Sequence, residues 1–144
     1  MTDDKKFPYV HPKIDPMITE LFLSLEERVG PDEKHDVQEI LGELKIGHKE
    51  EALKLLRYYK FKKEATRDSK EQLDDDLEMV LREIKITENI LKNPEYEKEW
   101  DVYREILEKH KKERDELLEK IEQAKSAAAN LPSIEKIEKV LEGS

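Results

Sequence analysis

The chain has no cysteine, only four glycines and six prolines in 144 residues, and aromatic side chains make up 6% of it. Without cysteine there is no disulfide framework and no thiolate for a zinc or redox site. So few glycines leave little for loops that cradle phosphates, and no P-loop, dinucleotide-binding or nucleophile-elbow signature occurs. No apolar run is long enough to span a bilayer, and the opening residues lack the basic-then-apolar order of a secretory signal. The expectation is a soluble, cytoplasmic protein. Gln and Asn, three each, are scarce beside Lys and Glu, a balance that suits a heat-adapted source.

What is present is charge: 44% of residues are charged against 36% hydrophobic, and the net charge is −9. That sign argues against general nucleic-acid binding. So much charge with so little Gly and Pro predicts long helices with solvated faces, and hence an all-α fold.

Residues 1–14 carry two prolines and no helical period, so a tail that is extended, or disordered in isolation, is expected. Its Phe7, Tyr9 and Val10 either pack on the chain's own helices or make a docking tail for a partner. From residue 15 to 144 a single all-helical domain is expected. Asp15-Pro16 is a helix start, and Met17, Ile18, Leu21, Phe22, Leu25 and Val29 form one apolar stripe that ends at Gly30-Pro31. A second helix turns Val37, Ile40, Leu41 and Leu44 inward and stops at Gly47, so 15–46 holds two short helices.

Residues 48–92 contain no Pro, and Leu56, Tyr59, Lys63, Thr66, Lys70, Leu73, Leu77, Val80, Ile84, Thr87 and Leu91 step by three and four, the period of a helix seam. One unbroken helix is the favoured reading. The alternative is a kink near Thr66, with Asp68 or Ser69 capping a fresh helix. Asn93-Pro94 then turns the chain, and a second seam runs from Tyr96 through Trp100, Tyr103, Leu107, His110, Arg114, Leu117, Ile121, Ala124 and Ala128 to Leu131. The segments 48–92 and 94–130 therefore predict a long antiparallel coiled-coil helical hairpin. If Leu91 meets Tyr96 at the turn, Val80 lies beside Leu107 and Leu56 beside Leu131. Leu131-Pro132-Ser133 starts a separate C-terminal helix, 133–142, with Ile134, Ile137, Val140 and Leu141 inward. The short N- and C-terminal helices pack on the hairpin's open end.

No catalytic, metal or cofactor site is expected. The four histidines, His11, His35, His48 and His110, fall in no HExxH or paired Glu-x-x-His pattern. Asp74, Asp75 and Asp76 look like a cation site on paper, but a helix spreads neighbours by about 100°, so they cannot chelate one ion.

The one local contrast is Lys54, Arg57, Lys60, Lys62 and Lys63 interleaved with Tyr58, Tyr59 and Phe61, with no acid until Glu64. Lys54, Arg57, Tyr58, Lys60, Phe61, Lys62 and Lys63 form the candidate interaction patch. Basic and aromatic residues so mixed suit an acidic protein partner, or else an anionic surface, nucleic acid or membrane lipid. The plainer alternative is that Tyr59 is buried and the lysines are simply exposed. A two-helix arm also leaves Leu55, Leu81, Ile86 and Ile90, and on the return helix Ile106 and Leu118, off the seam. A four-helix arrangement of two chains would cover them, so a homodimer is expected. The composition and patterning thus predict a non-enzymatic scaffold acting through protein–protein contacts.

The stretch Gly47-His48-Lys49-Glu50-Glu51-Ala52-Leu53-Lys54-Leu55-Leu56, followed by basic-aromatic residues and an acidic helix, resembles the hairpin bend of ESCRT-III membrane-remodelling proteins. That family opens on a long basic helix, whereas residues 15–45 here are acidic and interrupted at Gly30-Pro31, so the chain is not assigned to it.

Overall fold

The computed structural model describes residues 16–143; Phe7, Tyr9 and Val10 of the tail and the Asp15 cap lie outside the described residues. The order is α1 (Pro16–Arg28), α2 (Pro31–Lys45), α3 (Lys49–Asp68), α4 (Lys70–Ile90), a 3₁₀ helix (Pro94–Glu99) and α5 (Trp100–Gly143). There is no strand among the described residues, and no helix is long and apolar enough to cross a membrane. Two compact units make up the described residues: 16–65 together with 126–143, and 66–125.

In the first unit, Gly30 caps the start of α2, and its carbonyl accepts from Glu33 N–H (3.0 Å) and Lys34 N–H (3.1 Å). Pro31 takes the first position of α2, with Asp32 and Glu33 in the first turn, where the helix dipole favours negative charge. The far end of α2 closes in a Schellman motif. His48 N–H donates to Glu43 O (2.9 Å), Gly47 N–H donates to Leu44 O (3.1 Å), and Gly47 adopts φ 86°, which only glycine takes at little cost.

The core of this unit joins Phe22 and Leu25 of α1, Val37 of α2, Leu56 of α3, and Ile134 and Ile137 of α5, all fully buried. Burying each such side chain is worth about 1.5–3 kcal/mol. Met17, expected inward, is exposed instead. The predicted separate helix at 133–142 also needs correction, because α5 runs through Pro132 to Gly143. Proline removes one hydrogen bond to the residue four before it, and that residue, Ala128, lies on the exposed face. The apolar stripe continues past it through Leu131, Ile134, Ile137 and Leu141, so the core holds the helix together.

The break between α3 and α4 matches neither sequence alternative in full. The helix is interrupted at Ser69 alone, whose backbone stays right-handed helical (φ −77°, ψ −9°) and whose side chain caps nothing. Its hydroxyl donates back to Thr66 O at 2.7 Å, the local competition that serine offers within helices.

In the second unit the buried side chains are Ile84, Thr87, Ile121 and Ala124. Thr87 satisfies its hydroxyl on Glu83 O (2.8 Å). The turn opens as Asn93 Oδ1 accepts from Glu95 N–H (3.0 Å), but Pro94–Glu99 winds as a 3₁₀ helix and α5 begins only at Trp100. The indole N–H of Trp100 donates to Ile90 O (2.9 Å), which also accepts from Asn93 N–H (3.1 Å), and Tyr96 meets Tyr103 edge-on at 6.3 Å. The later helix start displaces the expected register. Asp76, Met79 and Val80 line one groove with Glu113, Glu116, Leu117 and Lys120, so Val80 lies by Leu117 rather than Leu107.

Candidate interaction site

The candidate patch lies on α3, wholly within the first unit. Helical geometry sorts its residues by face. Tyr59 points inward and is 2% exposed, whereas Tyr58 and Phe61, one turn apart, are 62% and 66% exposed. Lys62 stacks on the Tyr58 ring with its Nζ 4.8 Å from the centroid, and Lys54, one turn earlier, is exposed on the same face.

Arg57, Lys60 and Lys63 are held by the chain's own acids. Arg57 donates from Nε to Glu138 (3.0 Å) and from its other nitrogen to Glu142 (2.6 Å), while Lys60 donates to Glu138 at 2.6 Å. Lys63 pairs with Glu33, and the Tyr59 hydroxyl donates to the same carboxylate at 2.9 Å. These contacts show in the titration of the groups. The hydrogen bond from Lys60, and then that from Arg57, hold Glu138 below the usual carboxylate range against an opposing effect of burial. The bond to Glu138 raises Lys60, and the bond to Glu142 raises Arg57. Burial first, and then the Glu33 charge, push the Tyr59 phenol well above its ordinary value.

The segment that reverses the sign of the chain in sequence is therefore largely neutralised in space. What remains outward is an aromatic ledge, Tyr58 and Phe61, with Lys54 and Lys62 beside it. It borders a cleft of roughly 140 Å³ between α2 and α3, lined by Asp36, Glu39, Ile40, Leu55, Tyr58, Tyr59 and Lys62. Neither Asp36 nor Glu39 forms an ion pair with another described residue.

Glu33, Glu138 and Glu142 carried no signal in the sequence. Nothing local tells which of the chain's acids will face α3, and the register inferred from the turn placed Leu131, not Glu138, opposite that region. The other titratable clusters resolve into local pairs: Asp74 with Lys70 (2.7 Å), Asp76 with Gln72 (2.8 Å), and His110 with Glu113 (2.9 Å). Among the described residues no group of three or more His, Asp or Glu could hold a metal ion. Compared with protein-family models, with curated proteins and with solved structures, the chain matches none.

Proposed function

We propose that the chain is a non-enzymatic helical scaffold that acts through protein–protein contacts, with the Tyr58–Phe61 ledge as its principal contact surface. In this reading α4 and the start of α5 run as an antiparallel coiled-coil hairpin, and two copies associate. The supporting observation is the division of labour along α3, where Arg57, Lys60 and Lys63 are bound to Glu138, Glu142 and Glu33 while Tyr58 and Phe61 stand exposed. A surface made to hold a polyanion keeps its cations available. A surface made for protein recognition offers aromatic anchors with a polar surround. The alternative is an anionic surface of nucleic acid or membrane lipid, for which Lys54 is exposed on the same face.

Self-association has its own support in the second unit, where Met79, Ile86 and Val102 are 59%, 53% and 58% exposed beside only four buried side chains. Apolar residues outside so thin a core are the ones a second hairpin would cover.

Affinity capture from the native lysate tests the contact surface. The protein captured by the full chain should be lost on Tyr58→Ala/Phe61→Ala with the helical content unchanged. Capture unaffected by that variant would contradict the reading.

A further inference from the structure

A second stripe runs along the second unit beside its seam. On α4, Asp76, Met79, Glu83, Ile86 and Ile90 each stand one position before a seam residue, and on α5 so do Val102, Ile106, Lys109, Glu113, Glu116 and Lys120. One position is about 100° around a helix, so each stripe keeps the three-four step of the seam but faces sideways. The two stripes share one face, because Asp76 and Met79 line a single groove with Glu113, Glu116 and Lys120.

The two halves of this face differ. With the helices antiparallel, as proposed above, stepping from Val80 and Leu117 toward the turn brings Ile90 level with Ile106. That half is apolar: Ile86 and Val102 are exposed, and Ile90 and Ile106 are half-buried. The other half is charged, with Asp76 and Glu83 on α4 and Glu113, Glu116 and Lys120 on α5 around the exposed Met79. Lys120 forms no ion pair with a described residue, and Asp76 accepts among them only from the Gln72 amide, at 2.8 Å.

A second copy of the same face fits it, and in one sense only. A two-fold axis along the hairpin sets α4 of each copy against α5 of the other, with both turns at one end. Ile86 and Ile90 then meet the partner's Val102 and Ile106, and Asp76 meets the partner's Lys120. The opposite sense lays Ile86 and Ile90 on the charged half of the other α4, around Asp76, and strips water from that carboxylate without giving it a cation. Glu83 lies level with the partner's Glu113 in the favoured sense, a like-charge contact that keeps the dimer dissociable.

We infer that the second units of two chains pair through this face with their turns at the same end, joined by Asp76 of each copy against Lys120 of the other. This rests on the reading that two copies associate. It adds the face, the sense and the ion pair.

Because the pair joins two chains, mixing can rebuild it. Asp76→Lys alone should weaken the dimer about tenfold in sedimentation, with two exposed pairs altered per dimer. That substitution lowers the net negative charge, so general repulsion alone would tighten the dimer instead. Lys120→Asp should weaken it at least as much. An equimolar mixture of the two variants restores both pairs between unlike chains and should return the dimer to within about twofold of the parent. A contact within one chain could not be mended in that way. Helical content, followed alongside, should match the parent in both variants.

The sense is read separately. Lys98→Cys gives one thiol, in the 3₁₀ helix at the turn, to a chain with none of its own. Spin labels there should lie within about 25 Å of each other, as across neighbouring helices of a bundle. The opposite sense would part them by about 40 Å, the length of residues 66–92 at about 1.5 Å per residue. Labels that far apart, or a mixture no tighter than the separate variants, would overturn the pairing, while a parent dimer would leave self-association standing. A parent chain that stays monomeric at high concentration would overturn both.

Discussion

The ammonium of Lys60 lies 2.6 Å from Glu138 Oε1, and Arg57 donates to the other oxygen of the same carboxylate at 3.0 Å. Glu138 is 13% exposed, so this pairing is less screened than a surface ion pair and ties α3 to the last turns of α5 within the first unit.

The pairing sets an acid limit on stability. Glu138 is held below its unfolded pKa, so its contribution is present in full above the ordinary carboxylate range and is lost as the pH falls through the lower, folded value. Glu138→Gln should cost about 1 kcal/mol at neutral pH. Its urea midpoint should approach that of the unaltered chain as the pH is lowered through and below the carboxylate range. A difference between the two proteins that stays constant with pH would show that the carboxylate charge contributes nothing.

Gly42 within α2 and Gly47 just past its end should respond in opposite directions. At Gly47, with φ 86°, alanine should destabilise by about 1 kcal/mol, because a Cβ is strained there. At Gly42, inside the helix and with open space around a built Cβ, alanine should stabilise by about 0.5–1 kcal/mol. Chemical denaturation of the two variants beside the parent checks both signs.

Core and ledge should separate cleanly in the same assay. Phe22→Ala, at a site with no exposure, should cost about 3–5 kcal/mol. Tyr58→Ala/Phe61→Ala should stay within about 1 kcal/mol of the parent, as exposed substitutions do. A large loss for the ledge variant would mean that those rings serve the fold.

Association between copies should depend on the outer face of α4. Sedimentation of the full chain should show a dimer that dissociates on dilution, and Met79→Glu/Ile86→Glu should shift it to monomer. A parent chain that is monomeric at high concentration would remove self-association from the proposal.

Much of this was legible in the sequence because it is local or periodic. Every seam residue from Leu56 to Leu91 is buried or half-buried, and so are Ile18, Phe22, Leu25 and Val29 of the first stripe. Gly47 and Asn93-Pro94 end and turn the chain where expected. What was not legible depends on distance. Asn93-Pro94 announces a turn, but nothing in Pro94–Glu99 says that six residues will wind as a 3₁₀ helix before α5 begins, and that count decides which residues of α5 face α4. In the first unit the pairing is displaced in the same sense, with Arg57 and Lys60 against Glu138 and Glu142. The basic segment therefore reads as a cationic patch in sequence and becomes an aromatic ledge in the fold. Pro132 misled for a related reason: the apolar stripe on both sides of it outweighs the one hydrogen bond it removes.

The contact surface is tested most directly by a side-by-side capture from native lysate, at low and at high salt. The chains compared are the parent, Tyr58→Ala/Phe61→Ala, and Lys54→Glu/Lys62→Glu, which removes exposed positive charge without touching the Glu138 pairs. The proposal predicts a protein partner retained at high salt, lost with the two aromatics and largely kept with the two lysine reversals. Recovery of nucleic acid or lipid that salt releases, and that the lysine reversals abolish while the aromatic variant keeps it, would contradict it.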